Sequence, residues 1–102
     1  MNAKGREVLI AAALAGVRQV RHMEYDGEGG YCGLGVLAKA AGTTGLDMLD
    51  LYDLEGDMVC PLCPHTHMAE GPEFTMVAHL NDYHELDFLG IANKMPDTEA
   101  RA

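Results

Sequence analysis

Four residues in the second half of the chain have the types and the spacing of zinc ligands. Cys60 and Cys63 form a C-x2-C pair, and His79 and His84 follow, which gives the pattern C-x2-C-x15-H-x4-H. Two thiolates from a tight turn and two imidazoles from the end of a helix supply the four donors of a tetrahedral zinc ion. The sequence therefore predicts a Zn²⁺ site with these four residues as ligands.

The spacing of the two histidines sets a condition on the local backbone. Residues five apart on an ideal helix point about 140° away from each other, so the helix must end or distort between His79 and His84. The sequence Asn81-Asp82-Tyr83 favours a helix end at this place. His67 is the alternate ligand if either downstream histidine is not used, and His65 is a further competitor.

The full ligand set favours a structural metal over a catalytic one. Four protein ligands leave no coordination position for water, so we predict no catalytic residue and no cofactor beyond zinc. A redox C-x-x-C requires a strand before the motif and a helix directly after it, and Pro64 with the polar residues behind it does not provide that helix. The plainer alternative is that both cysteines are small buried side chains and bind no metal.

The charge distribution argues against a nucleic-acid partner. The net charge is −9; residues 1–40 carry five basic and four acidic side chains, whereas residues 41–102 carry two basic and twelve acidic ones. An acidic surface repels phosphate backbones. If His79 were the first histidine of a C2H2 finger, the base-reading positions would be Pro72, Thr75 and Ala78, none of which makes a bidentate contact with a base.

The elements that must position the site are mostly helical. Apolar spacing, glycines and prolines predict a mainly α fold with about five helices, little or no β structure, and a zinc knuckle. The predicted helices cover residues 3–21, 31–41 with Gly42 as C-cap, 46–54, 71–82 and 85–94, and the knuckle covers residues 57–66. We expect a single domain over residues 1–102: a helical half (1–55), the knuckle with a helix pair (56–95) and a frayed tail (96–102).

Cysteine usage and hydropathy indicate a reducing compartment. Cys32 is left over when the other two cysteines bind metal, which is not the pattern of a secreted disulfide scaffold. The apolar run from Val8 to Val17 has ten residues, too few to span a bilayer. We therefore expect a cytoplasmic protein with no membrane segment, and the host cytoplasm if a phage encodes it.

Two segments are similar to uncharacterised families of small bacterial and phage proteins, many of them from actinobacteria. Residues 32–37, CGLGVL, resemble a C-x-x-G-A-L helix start, and residues 79–84, HLNDYH, followed by FLGIA, resemble an HLND-x-H…IA segment. The resemblance covers about a quarter of the chain. It implies a compact helical domain and a phage origin, and gives Asn81 and Asp82 structural roles: Asn81 as a cap of the fourth helix and Asp82 as a hydrogen-bond partner of a ligand histidine.

These observations favour a zinc-stabilised protein-interaction module that acts through its acidic surface, such as a phage accessory or host-modulating protein. The first alternative is a phage structural or assembly component, which predicts a homo-oligomer with the apolar first helix as its interface. The second is a metal-dependent enzyme, which would require an open zinc position or a pocket lined by His65, His67 and Glu70.

Overall fold

The computed structural model describes residues 1–23, 25–54, 57–64, 66–68 and 75–98. Within these residues the chain forms five helices and two small two-stranded sheets, which confirms the mainly α fold. The elements in chain order are α1 (Ala3–Leu14), β1 (Arg18–Gln19), β2 (Gly30–Tyr31), α2 (Gly33–Ala41), α3 (Leu46–Leu51), β3 (Asp57–Val59), β4 (Thr66–Met68), α4 (Met76–Asp82) and α5 (Phe88–Lys94). β1 and β2 are parallel, and β3 and β4 are antiparallel.

The first helix is shorter than the sequence predicts. The Asn2 side chain accepts a hydrogen bond from the backbone of Gly5 and caps the start of α1. The helix ends at Leu14, and Gly16 has a φ of +72°, a left-handed conformation that glycine adopts without strain. Arg18 then lies in β1, beside Gly30 of β2. The predicted continuation to Arg21 is therefore wrong, because Gly16 closes the helix and the residues after it pair as a strand.

The C-terminal end of α2 is as predicted, but the helix starts at Gly33 and not at Tyr31, which lies in β2. The ends of α3 agree with the prediction only in part. Gly42 ends α2 in the left-handed conformation, as predicted, and the buried Cys32 is the N-cap, with its Sγ 3.4 Å from the backbone nitrogen of Gly35. Gly45, rather than a threonine, is the N-cap residue of α3, which stops at Leu51 instead of Leu54.

The core lies where α1 packs on α5 and α2, and where α2 packs on α3 and α4. Its fully buried side chains are aliphatic or methionine, with Tyr52 as the large exception; the Tyr52 hydroxyl donates a hydrogen bond to the carbonyl of Leu37 at 3.1 Å. The carboxylates of Asp47, Asp50 and Asp53 are exposed, as expected for a solvated face of α3.

The last two helices begin later than predicted. The Thr75 hydroxyl accepts a hydrogen bond from the Ala78 N–H and so caps α4, which starts at Met76. The predicted start, at residues 71–74, lies outside the described residues. The Asp87 carboxylate accepts a hydrogen bond from the Gly90 N–H and caps α5, which starts at Phe88. Glu85 has a φ of +55°, which is not helical, so the predicted start at Glu85 is wrong. None of the described helices is long and apolar enough to cross a membrane.

The segment after α5 is packed as far as Thr98, contrary to the predicted frayed tail. The Met1 amino group donates to the carbonyl of Pro96 at 2.8 Å, and the Thr98 N–H donates to the carbonyl of Met1 at 3.3 Å. Met1 itself is fully buried. Backbone hydrogen bonds therefore connect Met1 with Pro96 and Thr98. Residues 99–102 lie outside the described residues.

Candidate metal centre

The end of α4 places the two histidines on one side of the chain. His79 lies within the helix, which ends at Asp82 with Tyr83 as C-cap. The N–H groups of Tyr83 and His84 both point to the carbonyl of His79, at 2.9 and 3.3 Å. The second of these bonds spans five residues, so the chain forms a wider π-turn at the helix end instead of continuing the helix. This is the local ending that the spacing of the two histidines requires.

The cysteines come from a knuckle next to the β3–β4 hairpin. Cys60 directly follows β3, and its Sγ lies 3.4 Å from the backbone nitrogen of Leu62. This N–H···S contact accompanies the fold-back of the chain between Cys60 and Cys63. The antiparallel pairing of residues 57–59 with 66–68 closes the knuckle from the other side.

The four predicted ligands meet across these two segments. The Sγ of Cys60 lies 3.4 Å from Nε2 of His84, and the Sγ of Cys63 lies 3.3 Å from Nε2 of His79. All four ligand atoms lie within 4.8 Å of one another. Each cysteine thus faces one histidine, so the knuckle and the end of α4 contact each other through the four side chains that could bind a metal ion.

The distances suit a tetrahedral ion. Zinc–sulfur bonds of about 2.3 Å and zinc–nitrogen bonds of about 2.05 Å at tetrahedral angles place sulfur and nitrogen about 3.5 Å apart. The two measured S···N distances, 3.4 and 3.3 Å, differ from this value by about 0.2 Å or less. Each cysteine–histidine pair therefore has the separation that a tetrahedral ion requires.

The centre is buried on one side and open on the other. Cys60 is only 4% exposed, whereas Cys63, His79 and His84 are half-buried. The His79 and His84 rings meet edge to face with centroids 4.8 Å apart, and Tyr83 stacks on His79 at 5.0 Å. Tyr83 and Leu62 are themselves exposed, at 66% and 43%, so an aromatic and an aliphatic side chain flank the open side.

Asn81 holds α4 in place from inside the protein. Its side chain is fully buried and makes four hydrogen bonds. Oδ1 accepts from Gln19 Nε2 at 2.6 Å and from the Gly33 N–H at 3.0 Å; Nδ2 donates to the Val20 carbonyl at 3.0 Å and to Asp82 Oδ1 at 2.7 Å. Gly33 is the first residue of α2, so Asn81 caps α2, not its own helix as the sequence analysis expects.

Asp82 and Arg21 support the same helix end. Asp82 Oδ1 accepts from Asn81 and from the backbone N–H of His22 at 2.8 Å, so its contacts go to the scaffold and not to a ligand histidine. The Arg21 guanidinium donates to the carbonyls of Asn81, Leu86 and Glu85. A cation at these carbonyls complements the dipole of α4.

The role of Arg21 is one that sequence reasoning missed. Nothing near Arg21 in the sequence indicates that it lies beside a helix end some sixty residues later. The other candidate ligands lie wholly or partly outside the described residues. His65 and Glu70 lie outside the described residues, and of His67 only the backbone, paired with Met58 in the hairpin, is described. His67 as an alternate ligand therefore stays a prediction.

Comparisons with protein-family models, with curated proteins and with solved structures find no match for this chain. The resemblance to small bacterial and phage proteins accordingly stays a prediction, and the function has to be argued from the site itself.

Proposed function

We propose that the protein is a zinc-stabilised protein-interaction module in which the ion has a structural role. The observation that carries the proposal is the closed donor set: two sulfur and two nitrogen atoms lie within 4.8 Å of one another, each supplied by the chain. Such a set occupies all four positions of a tetrahedral ion and leaves none for a water nucleophile or a substrate. Two thiolates with two imidazoles favour zinc over the hard cations magnesium and calcium.

The ion would join two parts of the fold. The cysteines belong to the knuckle of the β3–β4 hairpin, and the histidines belong to the end of α4. A two-stranded hairpin alone is at best marginally stable in water. Structural zinc contributes an apparent binding free energy of about 10–16 kcal/mol in small peptides, and whole domains are stable by about 5–15 kcal/mol. The ion is therefore expected to decide whether the hairpin docks on α4.

The surface that the ion would hold in place suits a basic protein partner. Tyr83, Leu62 and Val59 are exposed apolar side chains, and Tyr83 contacts a ligand histidine directly. Exposed carboxylates at Glu85 and Asp87 lie in the segment that follows. Aromatic anchors surrounded by charged residues are typical of protein interfaces, and the excess of carboxylates in residues 41–102 disfavours nucleic acid.

Metal content and folding test the structural role. We expect one zinc per chain by inductively coupled plasma mass spectrometry, and its loss in the Cys60→Ser/Cys63→Ser variant. In a ¹H–¹⁵N NMR correlation spectrum of that variant, the amide cross-peaks of the hairpin and of the last turn of α4 should shift or broaden. The matched control is Cys32→Ser, which keeps a side-chain acceptor at the cap of α2 and should retain the zinc. Protein purified without chelator that contains no metal would end the proposal.

Salt dependence tests the interaction role. A basic partner should be retained from a host lysate at about 0.15 M salt and lost at about 0.5 M, because screening shortens the range of charge interactions. Retention should fall in the Tyr83→Ala variant and persist in Leu14→Ala, since Leu14 is exposed but lies at the end of α1. No salt-sensitive partner in such an experiment would exclude the interaction role while leaving the structural zinc untouched.

An assembly component of a phage is the second candidate, and one observation favours it. Leu14 is 84% exposed at the end of the apolar first helix, as an oligomer contact would be in an isolated chain. This function predicts a symmetric oligomer by size-exclusion chromatography with light scattering, and its conversion to monomer by Leu14→Gln. A monomer at all accessible concentrations would remove this candidate.

A further inference from the structure

Two adjoining cavities lie on the surface of the N-terminal half, and neither includes a residue of the metal centre. The first has a volume of about 410 Å³ and lies between α1 and α2. The second has a volume of about 580 Å³ and lies beside the end of α2. They share two lining residues, Tyr31 and Lys39, so a ligand that extends past these side chains would occupy both.

The first cavity has an aliphatic lining. Apart from the two shared residues, its walls are alanine and valine side chains, among them Ala11 and Ala15 of α1 and Val36 and Ala40 of α2. Ala12 and Val36 are buried, and Ala11, Ala15 and Ala40 are exposed at the rim. A cavity of this size and polarity suits a small apolar group.

The second cavity differs in that it offers polar groups. Tyr25 and Tyr31 stack with their ring centroids 4.6 Å apart, and Thr43 and Thr44 line the cavity close to Lys39. The ammonium of Lys39 lies 4.9 Å from the centroid of the Tyr31 ring, at the junction of the two cavities. The polar groups are therefore gathered at one end of the aliphatic cavity.

The charge at the junction is unusual for this protein. Lys39 is the only charged side chain among the described residues that line either cavity, and the chain as a whole carries a net charge of −9. No ion pair of Lys39 is present among the described residues. The junction is thus a local positive site bordered by apolar surface in an otherwise acidic protein.

We propose that the two cavities bind a single-chain aliphatic carboxylate. The hydrocarbon chain lies in the alanine- and valine-lined cavity, and the carboxylate accepts hydrogen bonds from Lys39 at the junction, with the Thr43 and Thr44 hydroxyls on its far side. Burial of the chain supplies most of the affinity, and Lys39 selects for a negative head group. This site is independent of the zinc proposal.

Isothermal titration calorimetry with decanoate tests the proposal, with decanol and decyltrimethylammonium as matched probes of the head group. Decanoate should bind one per chain and more tightly than either probe. Lys39→Met should weaken decanoate binding about three- to tenfold, the range expected for one exposed charge contact, and Lys39→Arg should restore most of it. Lys4→Met, which removes a positive charge elsewhere, should leave the affinity unchanged. Ala11→Leu, at an exposed rim position, should abolish binding by filling the first cavity without loss of the fold.

Several results would overturn the proposal. One is equal affinity for decanoate and decanol, and another is decanoate binding that Ala11→Leu leaves intact. No binding below the concentration at which decanoate forms micelles would also do so. Light scattering that shows a dimer resistant to decanoate would assign the cavities to a second copy. Co-sedimentation with phosphatidylglycerol vesicles, without any binding of free decanoate, would assign Lys39 to a membrane surface instead.

Discussion

Replacing Asn81 by alanine should destabilise the whole protein, because this side chain connects three separate segments. It bonds to Gln19 and Val20 near β1, to the first N–H of α2, and to Asp82 beside it on α4. The orientation of the amide is determined by two of these partners: the Gly33 N–H can only donate, and the Val20 carbonyl can only accept. Alanine offers neither group.

The size of the effect follows from the burial of the partners. The Gly33 N–H is buried, and leaving such a donor without an acceptor costs about 1–3 kcal/mol. The other three hydrogen bonds are partly buried and contribute about 0.5–1.5 kcal/mol each, although water can replace some of them. We expect a loss of about 3 kcal/mol in the free energy of unfolding, which for a chain of this length lowers Tm by about 12–24 °C.

Urea denaturation followed by circular dichroism measures this loss, with Asn93→Ala on the exposed side of α5 as the control. Gln19→Ala is a milder variant that removes two partly buried hydrogen bonds, to Asn81 Oδ1 and to the Leu86 carbonyl, and leaves the Gly33 contact, so we expect a loss of about 1–2 kcal/mol. Zinc affinity should also fall in Asn81→Ala, because His79 and His84 depend on the position of α4. A loss below about 0.5 kcal/mol, the level of an ordinary surface change, would show that the four bonds do not hold the helix as reasoned here.

Two further predictions concern the N-terminal half. Gly33→Ala should cost about 1–3 kcal/mol by urea denaturation, because the added Cβ would lie 2.9 Å from Val77 Cγ1 and 3.1 Å from Ile91 Cδ1; an unchanged stability would show that these side chains can move aside. Two backbone N–H groups of its own loop, and to a smaller extent Arg18, lower the pKa of Asp26 below its ordinary value of 3.8. The folded state thus binds its proton less readily, so the stabilisation is present above that value and is lost as the pH falls below it. Asp26→Asn should therefore be less stable than the parent at pH 7, with a difference that shrinks as the pH falls below 3.8, and a pH-independent difference would contradict this origin.

The sequence alone identifies the four candidate ligands that the structure brings together and several helix ends, because these depend on residues close together in the chain. The two cysteines of a C-x-x-C pair can contact one ion because the residues between them form a tight turn. The residues Asn81-Asp82-Tyr83 end α4 after His79, so His84 can lie on the same side as His79. Gly42 ends α2 because glycine has no Cβ and therefore adopts the left-handed conformation without a steric penalty. These requirements are local, so they can be derived without knowledge of the fold.

Tertiary structure alone decides what Asn81 and Arg21 do. The end of α1 has a local signal in Gly16, whose φ of +72° closes the helix, but the sequence does not show that the chain then pairs β1 with β2 or that Arg21 reaches the end of α4. Asn81 was expected to cap its own helix, yet it caps α2, whose first N–H is buried against it. Buried donors and acceptors must find partners wherever the packing brings them together, and a partner 48 residues away leaves no pattern in the sequence.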